Sequence, residues 1–250
     1  MLDLIAPTFK WLYQETGWNF IIFHERYEYD RFVTGILISL ELMIVTLVVS
    51  LIVGGLGVWL QSAGSRPIRA VVNGYIQVFR NTPPMVQMLF FYFALGAYTP
   101  QVDAGGYYEP MVSAFGWAIV SLGIFGGAFN IEILRSGLEA VPSSTVEGAT
   151  SLGFSRWQVF VYVTLPLAIR VSLPALTNNL ISLAKTTSLA YVISVPEVTY
   201  TLNQVWSDNV NVPEMMIVLF AFYVSVVTVL GAVLHAVERH LAIPGHANVR

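Results

Sequence analysis

Residues 147–166 read EGATSLGFSRWQVFVYVTLP, a polar turn set inside a chain whose other long stretches are apolar. Ser144, followed three residues later by Glu147, has the form of a capping box that would start a short helix at about Thr145. Gly153 can take the left-handed conformation that ends a helix. Ser155 and Gln158 repeat the capping-box spacing just beyond the glycine. Two caps around one glycine predict a helix-turn-helix elbow, whose first arm of roughly eight residues spans about 12 Å at ~1.5 Å per residue. A rigid elbow of that size, projecting from a membrane domain, suits a knob that fits a socket on another protein. The bland alternative is an ordinary interfacial loop between two membrane helices.

The rest of the chain bears out the membrane setting. Its 250 residues are 56% hydrophobic and only 11% charged, with a mean hydropathy of +0.67. A soluble domain carries about 25% charged residues, so this chain cannot cover a water-facing surface in the usual way. The expected class is an all-α integral membrane protein. A net charge of -3 gives no reason to expect a nucleic-acid partner. The absence of cysteine excludes disulfides, thiolate metal sites and cysteine catalysis. His24, His235, His240 and His246 lack metal-ligand spacing, and read as interfacial or tail residues. Neither lysine, Lys10 or Lys185, sits in a G-x-x-x-x-G-K-[ST] phosphate loop, so no ATP hydrolysis is expected of the chain itself and it does not read as an enzyme. The N-terminus shows no basic region, apolar stretch and small-residue cleavage site in series, so the first membrane helix is expected to direct insertion.

A spanning helix needs about 20 mostly apolar residues. Five stretches qualify: 32–60, carrying Glu41; 81–102, 111–131 and 215–237, carrying no charge; and 171–195, carrying Lys185. Residues 1–31 mix Trp11, Trp18, Phe20 and Phe23 with Lys10 and Glu15, and read as an external segment lying on the membrane. Arg66, Arg69 and Arg80 follow the first span, Arg135, Arg156 and Arg170 follow the third, and Arg239 and Arg250 lie after the fifth. The connections 101–110 and 196–214 contain no Lys or Arg. The positive-inside rule then predicts five crossings with the N-terminus outside, the elbow at about 139–166 in the cytoplasm, and a cytoplasmic tail at 241–250.

Several motifs, taken in order, resemble one family. The elbow resembles the EAA loop of ABC importer permeases, whose pattern is EAA, three residues, G, nine residues, I-x-L-P. Here Gly148 stands for the middle Ala and Val163 for the Ile, with the spacing intact through Gly153, Leu165 and Pro166. RNTPPMVQMLFFYF at 80–93, AFNIEILRSGL at 128–138 and NNLISLAKTTSLAYVIS at 178–194 are similar to segments of the polar amino acid branch, the His/Glu/Gln/Arg/opine importers. Together these cover about residues 30–240. The resemblance implies a type I importer permease domain over 32–240. It further implies a second permease subunit, identical or homologous, two ATP-binding cassette subunits that bind ATP and magnesium, a periplasmic solute-binding protein, and residence in a bacterial inner membrane. It also implies that Glu147, Gly148, Ala149 and Gly153 contact the ATPase, with Glu147 as a cap and the small residues allowing close approach.

Within the spans, Lys185 lies about 11 residues, or roughly 16 Å, past Pro174, near mid-bilayer. A charge there costs at least about 2.5–3.5 kcal/mol on insertion scales. Asn178, Asn179, Ser182, Lys185 and Thr186 recur at three-to-four spacing, so this polar face is expected to look onto a cavity or a partner. Either the face lines the translocation path and Lys185 meets a substrate carboxylate, or Lys185 is a structural counter-charge to Glu41 or to the partner subunit. Many members of the branch carry Asp where this chain has Thr186, which weakens the case for a cationic substrate. Glu41 either sees the solute ammonium, or snorkels towards the helix end, or is paired structurally. Glu132 and Arg135, at i and i+3, are expected to pair with each other. Pro174 is either a hinge or a fixed bend. Two other classes stay open, an ion-driven secondary carrier and a non-transporting scaffold. The carrier would show repeated halves or interrupted helices, and the scaffold would not need the polar face.

Overall fold

An apolar stretch in lipid becomes a helix because each backbone N–H and C=O must find its partner within its own segment. The computed structural model describes residues 2–103, 105–106 and 108–241, so all but Leu241 of the expected tail, including His246 and Arg250, lies outside the described residues. The helices are α1 (Leu2–Thr16), α2 (Arg26–Ala63), α3 (Arg66–Arg80), α4 (Pro84–Leu89), α5 (Ala114–Glu139), α6 (Ser143–Ser151), α7 (Arg156–Val159), α8 (Leu165–Thr186), α9 (Val198–Asn209) and α10 (Val212–Leu241). A two-stranded antiparallel hairpin, β1 (Gln101–Asp103) and β2 (Tyr108–Pro110), pairs Gln101 with Pro110 and Asp103 with Tyr108.

Among the described residues four helical runs are long and apolar enough to cross a membrane: Arg26–Ser62, Ala114–Glu139, Arg156–Ile193 and Val212–Leu241. The stretch expected at 81–102 is shorter, running Pro84–Tyr98. The tandem prolines set its start: Pro84 lacks an N–H where none is needed, and the residue before a proline is pushed out of the helical region. From Leu89 the helix widens into a π turn (Phe90–Leu95) and then tightens to a 3-10 turn (Gly96–Tyr98). The segments between the expected spans contain helices α3 and α9. In α3 the polar residues keep mean apolarity low, yet Val72 and Ile76, four apart, bury one face.

The chain divides into two compact units, with α2, α5 and α10 each contributing to both. One unit comprises 1–46, 85–121 and 185–227. Its core joins Ile22 and Phe32 to Val198, Leu202 and Val205 of α9 and Met215 and Val218 of α10. The segment after α1 is pinned there by Asn19, whose N–H donates to Glu214 (2.9 Å) and whose carbonyl accepts from the Asn211 amide (2.8 Å). The other unit comprises 47–84, 122–184 and 228–250, and contains Arg66, Arg69, Arg80, Arg135, Arg156, Arg170 and Arg239. Here glycine lets α2 and α5 approach closely: a Cβ on Gly54 would sit 2.5 Å from that of Asn130. A polar thread crosses this unit, with buried Asn130 donating to Ser50 (3.2 Å) and accepting from Asn179 of α8 (2.8 Å).

Candidate functional site: elbow and polar helix face

The elbow forms, though not by the caps read from sequence at its start. Helix α6 begins at Ser143 with Pro142 as its cap residue, and no side chain caps it. Pro142 holds φ -60° and ψ 135°, so its carbonyl is already placed to accept from Thr145 N–H at 3.0 Å. Ser144 therefore lies inside the helix, and Glu147 does not cap it. Its carbonyl accepts from Ser151 Oγ, and its residue is exposed. At the other end, Gly153 takes φ +87°. Its N–H donates to Thr150 (3.0 Å) and Phe154 N–H to Ala149 (3.3 Å), the two bonds of a Schellman stop. The second capping box is complete, with Ser155 N–H donating to Gln158 Oε1 (2.8 Å) and Gln158 N–H to Ser155 Oγ (3.4 Å). A π turn over Phe160–Thr164 then leads into α8. It falls where Pro166 has no N–H to offer the carbonyl four residues earlier, so widening the turn relieves that clash.

On this elbow Glu147, Gly148 and Gly153 are exposed, and a Cβ added at Gly148 would meet nothing within 4 Å. Ala149 is not on that outer surface. At 8% exposure its methyl group lies against the protein. Two residues absent from the sequence reading stand out instead: Leu152 is 80% exposed and Trp157 72% exposed, one on each side of Gly153. Their signal was available, since both are large apolar residues in a polar turn.

The polar face of α8 divides. Asn178, Ser182 and Lys185, at i, i+4 and i+7, are each exposed, whereas Asn179 is half-buried and spends its amide on Asn130 Oδ1 and, at 3.5 Å, on Gly126 O. Asn179 thus ties helices together. Thr186, also half-buried, ends α8. Lys185 lies in the last α-helical turn, before the chain tightens into a 3-10 run (Thr187–Ile193) that stops at Ser194 with φ 62°. The negative end of the helix dipole favours a cation at that place by about 0.3–1 kcal/mol. Glu41 is exposed on α2, and neither it nor Lys185 has an ion-pair partner among the described residues. A Lys185–Glu41 pair within the chain is therefore not formed. Pro174 sits inside a continuous α8.

Two charged clusters go beyond the expected pairs. Glu132 does approach Arg135 (3.7 Å), but its nearer partner is Arg80, and Arg135 also reaches Glu139 (3.7 Å). Periodicity along one helix finds the Arg135 contact, and no local pattern finds Arg80. Glu197, 1% exposed, caps α9 by accepting from Tyr200 N–H (2.9 Å) and takes hydroxyl donors from Ser39, Thr199 and Tyr223. Burial away from any cation pushes its carboxyl above the ordinary range, and these donors pull it partly back.

The family model of the binding-protein-dependent transport system inner membrane component matches residues 54–243. The glutamine transport system permease protein of Escherichia coli K12 is 31% identical over 211 residues, covering 84% of this chain and 93% of that protein. The nopaline transport system permease protein of Agrobacterium fabrum is 26% identical over 210 residues, covering 84% and 87%. The crystal structure of an amino acid ABC transporter with histidines superposes with a TM-score of 0.73 at 28% identity, covering 84% of this chain and 94% of that one.

Proposed function

The chain belongs to the family of binding-protein-dependent transport system inner membrane components, and on that premise we propose that it is the subunit that forms the translocation path of an ATP-driven amino acid importer and takes its motion from a cytoplasmic ATPase through the elbow. The carrying observation is the elbow itself: a glycine-centred bend, stopped and restarted by side-chain and backbone caps, that holds Glu147, Gly148, Leu152 and Trp157 out in solvent. Exposed Leu and Trp beside a rigid turn are what a complementary cleft would desolvate.

In this reading the chain crosses the membrane five times, the shorter Pro84–Tyr98 helix being the second crossing. Arg66, Arg69, Arg80, Arg135, Arg156, Arg170 and Arg239, all in the segments after the first, third and fifth crossings, and the Lys- and Arg-free connections at 101–110 and 196–214 support an outside N-terminus and an inside C-terminus. A second permease, identical or homologous, completes the path, and two ATPase subunits bind ATP and magnesium. A periplasmic solute-binding protein delivers the solute on the face bearing the β1–β2 hairpin, and the assembly resides in a bacterial inner membrane. Relatives named for glutamine and nopaline transport support an amino acid or amino-acid derivative as solute. Asn178, Ser182 and Lys185 line its way, with Lys185 meeting the carboxylate and Glu41 on the same route. ATP-driven closure of the ATPases moves the elbows, and the packed helices switch between outward and inward openings.

The test is uptake by proteoliposomes containing the chain, its ATPase and its binding protein, against a panel of labelled amino acids that includes L-glutamine, L-arginine and L-histidine. ATP-dependent accumulation of at least one is expected. An assembled complex that accumulates none, or an elbow labelled by an impermeant reagent from the external side, would overturn the reading.

A further inference from the structure

Val171, Ala175, Asn178 and Ser182 follow one another at intervals of four, three and four along α8, and all four are exposed, so they form one stripe. At its elbow-proximal end this stripe borders a cavity of about 300 Å³, lined also by Arg80, Phe129, Glu132 and Ser136. That volume is at the small end for ligand sites, where a single amino acid fits. The Arg80 guanidinium is ion-paired with Glu132 and lies 5.2 Å from the centre of the Phe129 ring. Neither partner is sealed off, the Arg80 side chain being 37% exposed and that of Glu132 26%. Arg135, 3.7 Å from Glu132 and from Glu139, leaves the local charge balanced.

Such a cavity offers a cation and an anion side by side. A lone anion entering it would meet Glu132, and a lone cation would meet Arg80. A molecule carrying both charges on neighbouring atoms can replace one ion pair by two, which is the arrangement of an α-ammonium beside an α-carboxylate. The planar fork of Arg80 matches a carboxylate with two parallel hydrogen bonds. We propose that the Arg80–Glu132 pair closes the elbow-side end of the α8 stripe and opens by binding the zwitterionic head group of a passing amino acid, an inference that rests on the importer reading above. Arg80 takes the carboxylate and Glu132 the ammonium, while the solute side chain lies along Phe129, Val171 and Ala175. Because every α-amino acid shares that head group, this point selects the class of solute and leaves side-chain discrimination to other places.

The experiment uses the assembled permease–ATPase complex in nanodiscs without the external binding protein. It measures equilibrium binding of labelled L-glutamine, L-arginine and L-histidine, with displacement by analogues lacking either head group: the α-deaminated acid and the decarboxylated amine. For the amino acid that uptake shows to be carried, each analogue should displace at least tenfold more weakly than the parent. Glu132→Gln should weaken the parent about tenfold, to the level of the deaminated acid, and leave that acid unchanged. Arg80→Gln should weaken it to the level of the amine, and Arg80→Lys should fall between. Should the Arg80 variants fail to assemble, the isosteric Glu132→Gln decides alone. A complex that carries an amino acid yet binds none of the probes, or variants that bind all three compounds as wild type does, would overturn the gate while leaving the importer reading standing. A wild-type complex without ATP-driven uptake would instead overturn the importer reading.

Discussion

Replacing Gly153 isolates what holds the elbow bent. Its φ of +87° is a conformation that L side chains rarely adopt, and a Cβ there would meet nothing within 4 Å, so the cost of any side chain lies in the backbone and not in crowding. The bend is held by the two Schellman bonds, together about 1–3 kcal/mol at ~0.5–1.5 each, and by the Ser155–Gln158 box, worth about 1 kcal/mol. The left-handed penalty for Ala is roughly 1–2 kcal/mol, which lowers the bent-to-unbent ratio by about 5- to 30-fold. Val costs more because it is branched at Cβ, and Asn less because it tolerates positive φ. Pro forbids the conformation and removes the N–H that bonds to Thr150. Measured as solute transported per ATP hydrolysed in proteoliposomes, coupling should fall in the order Gly, Asn, Ala, Val, Pro, while the melting temperature of the assembled permease changes little from Gly to Asn. If Asn couples worse than Ala, side-chain bulk governs and the strain argument fails. Equal coupling by Gly, Ala and Val would remove the bend from the mechanism altogether.

Ala149→Leu should destabilise the permease by about 1–3 kcal/mol through overpacking, seen as a lowered melting temperature; Gly148→Leu, pointing into open space, should leave stability alone and abolish co-purification with the ATPase. Equal loss of stability in both would mean that the inner and outer faces of α6 are misassigned. Glu197 has a folded-state pKa raised by burial, so the stability it contributes is fully present below its unfolded pKa, about 4.5, and is lost as pH rises through the higher folded value. Thermal melts should therefore weaken with rising pH above that point in wild type and flatten in Glu197→Gln; parallel curves would refute the assignment. Lys185→Met breaks no intrachain ion pair, so the melting temperature should not fall, whereas uptake should drop at least tenfold if Lys185 meets the solute carboxylate. Unchanged uptake would remove Lys185 from the path.

Much of the fold is legible because lipid forces each apolar stretch to close its own hydrogen bonds. The long runs from Arg26, Ala114, Arg156 and Val212 follow directly. Where they begin and end was less visible. Pro83 and Pro84 shortened one stretch, and α3 and α9 lie between the spans because polar residues interrupt their apolar runs. At the elbow, Gly153 and the Ser155–Gln158 box are local features readable at sight. The Ser144–Glu147 spacing misled because Pro142, two residues earlier, had already set the helix start. Among charges, the i, i+3 contact of Glu132 with Arg135 was in view, but its closer partner Arg80 lies on another helix.

From the amino acids alone came the membrane class, the apolar helices and the bent, glycine-centred lever, since each depends on backbone groups and side chains within a turn or two of one another. Tertiary packing settled the rest. It turned Asn179 towards Asn130 while leaving its neighbour Asn178 exposed, sent Ala149 inward, paired Arg80 with Glu132 and buried Glu197 beneath three hydroxyls. Periodicity tells which residues share a face, but which neighbour that face meets depends on contacts between residues far apart in the chain.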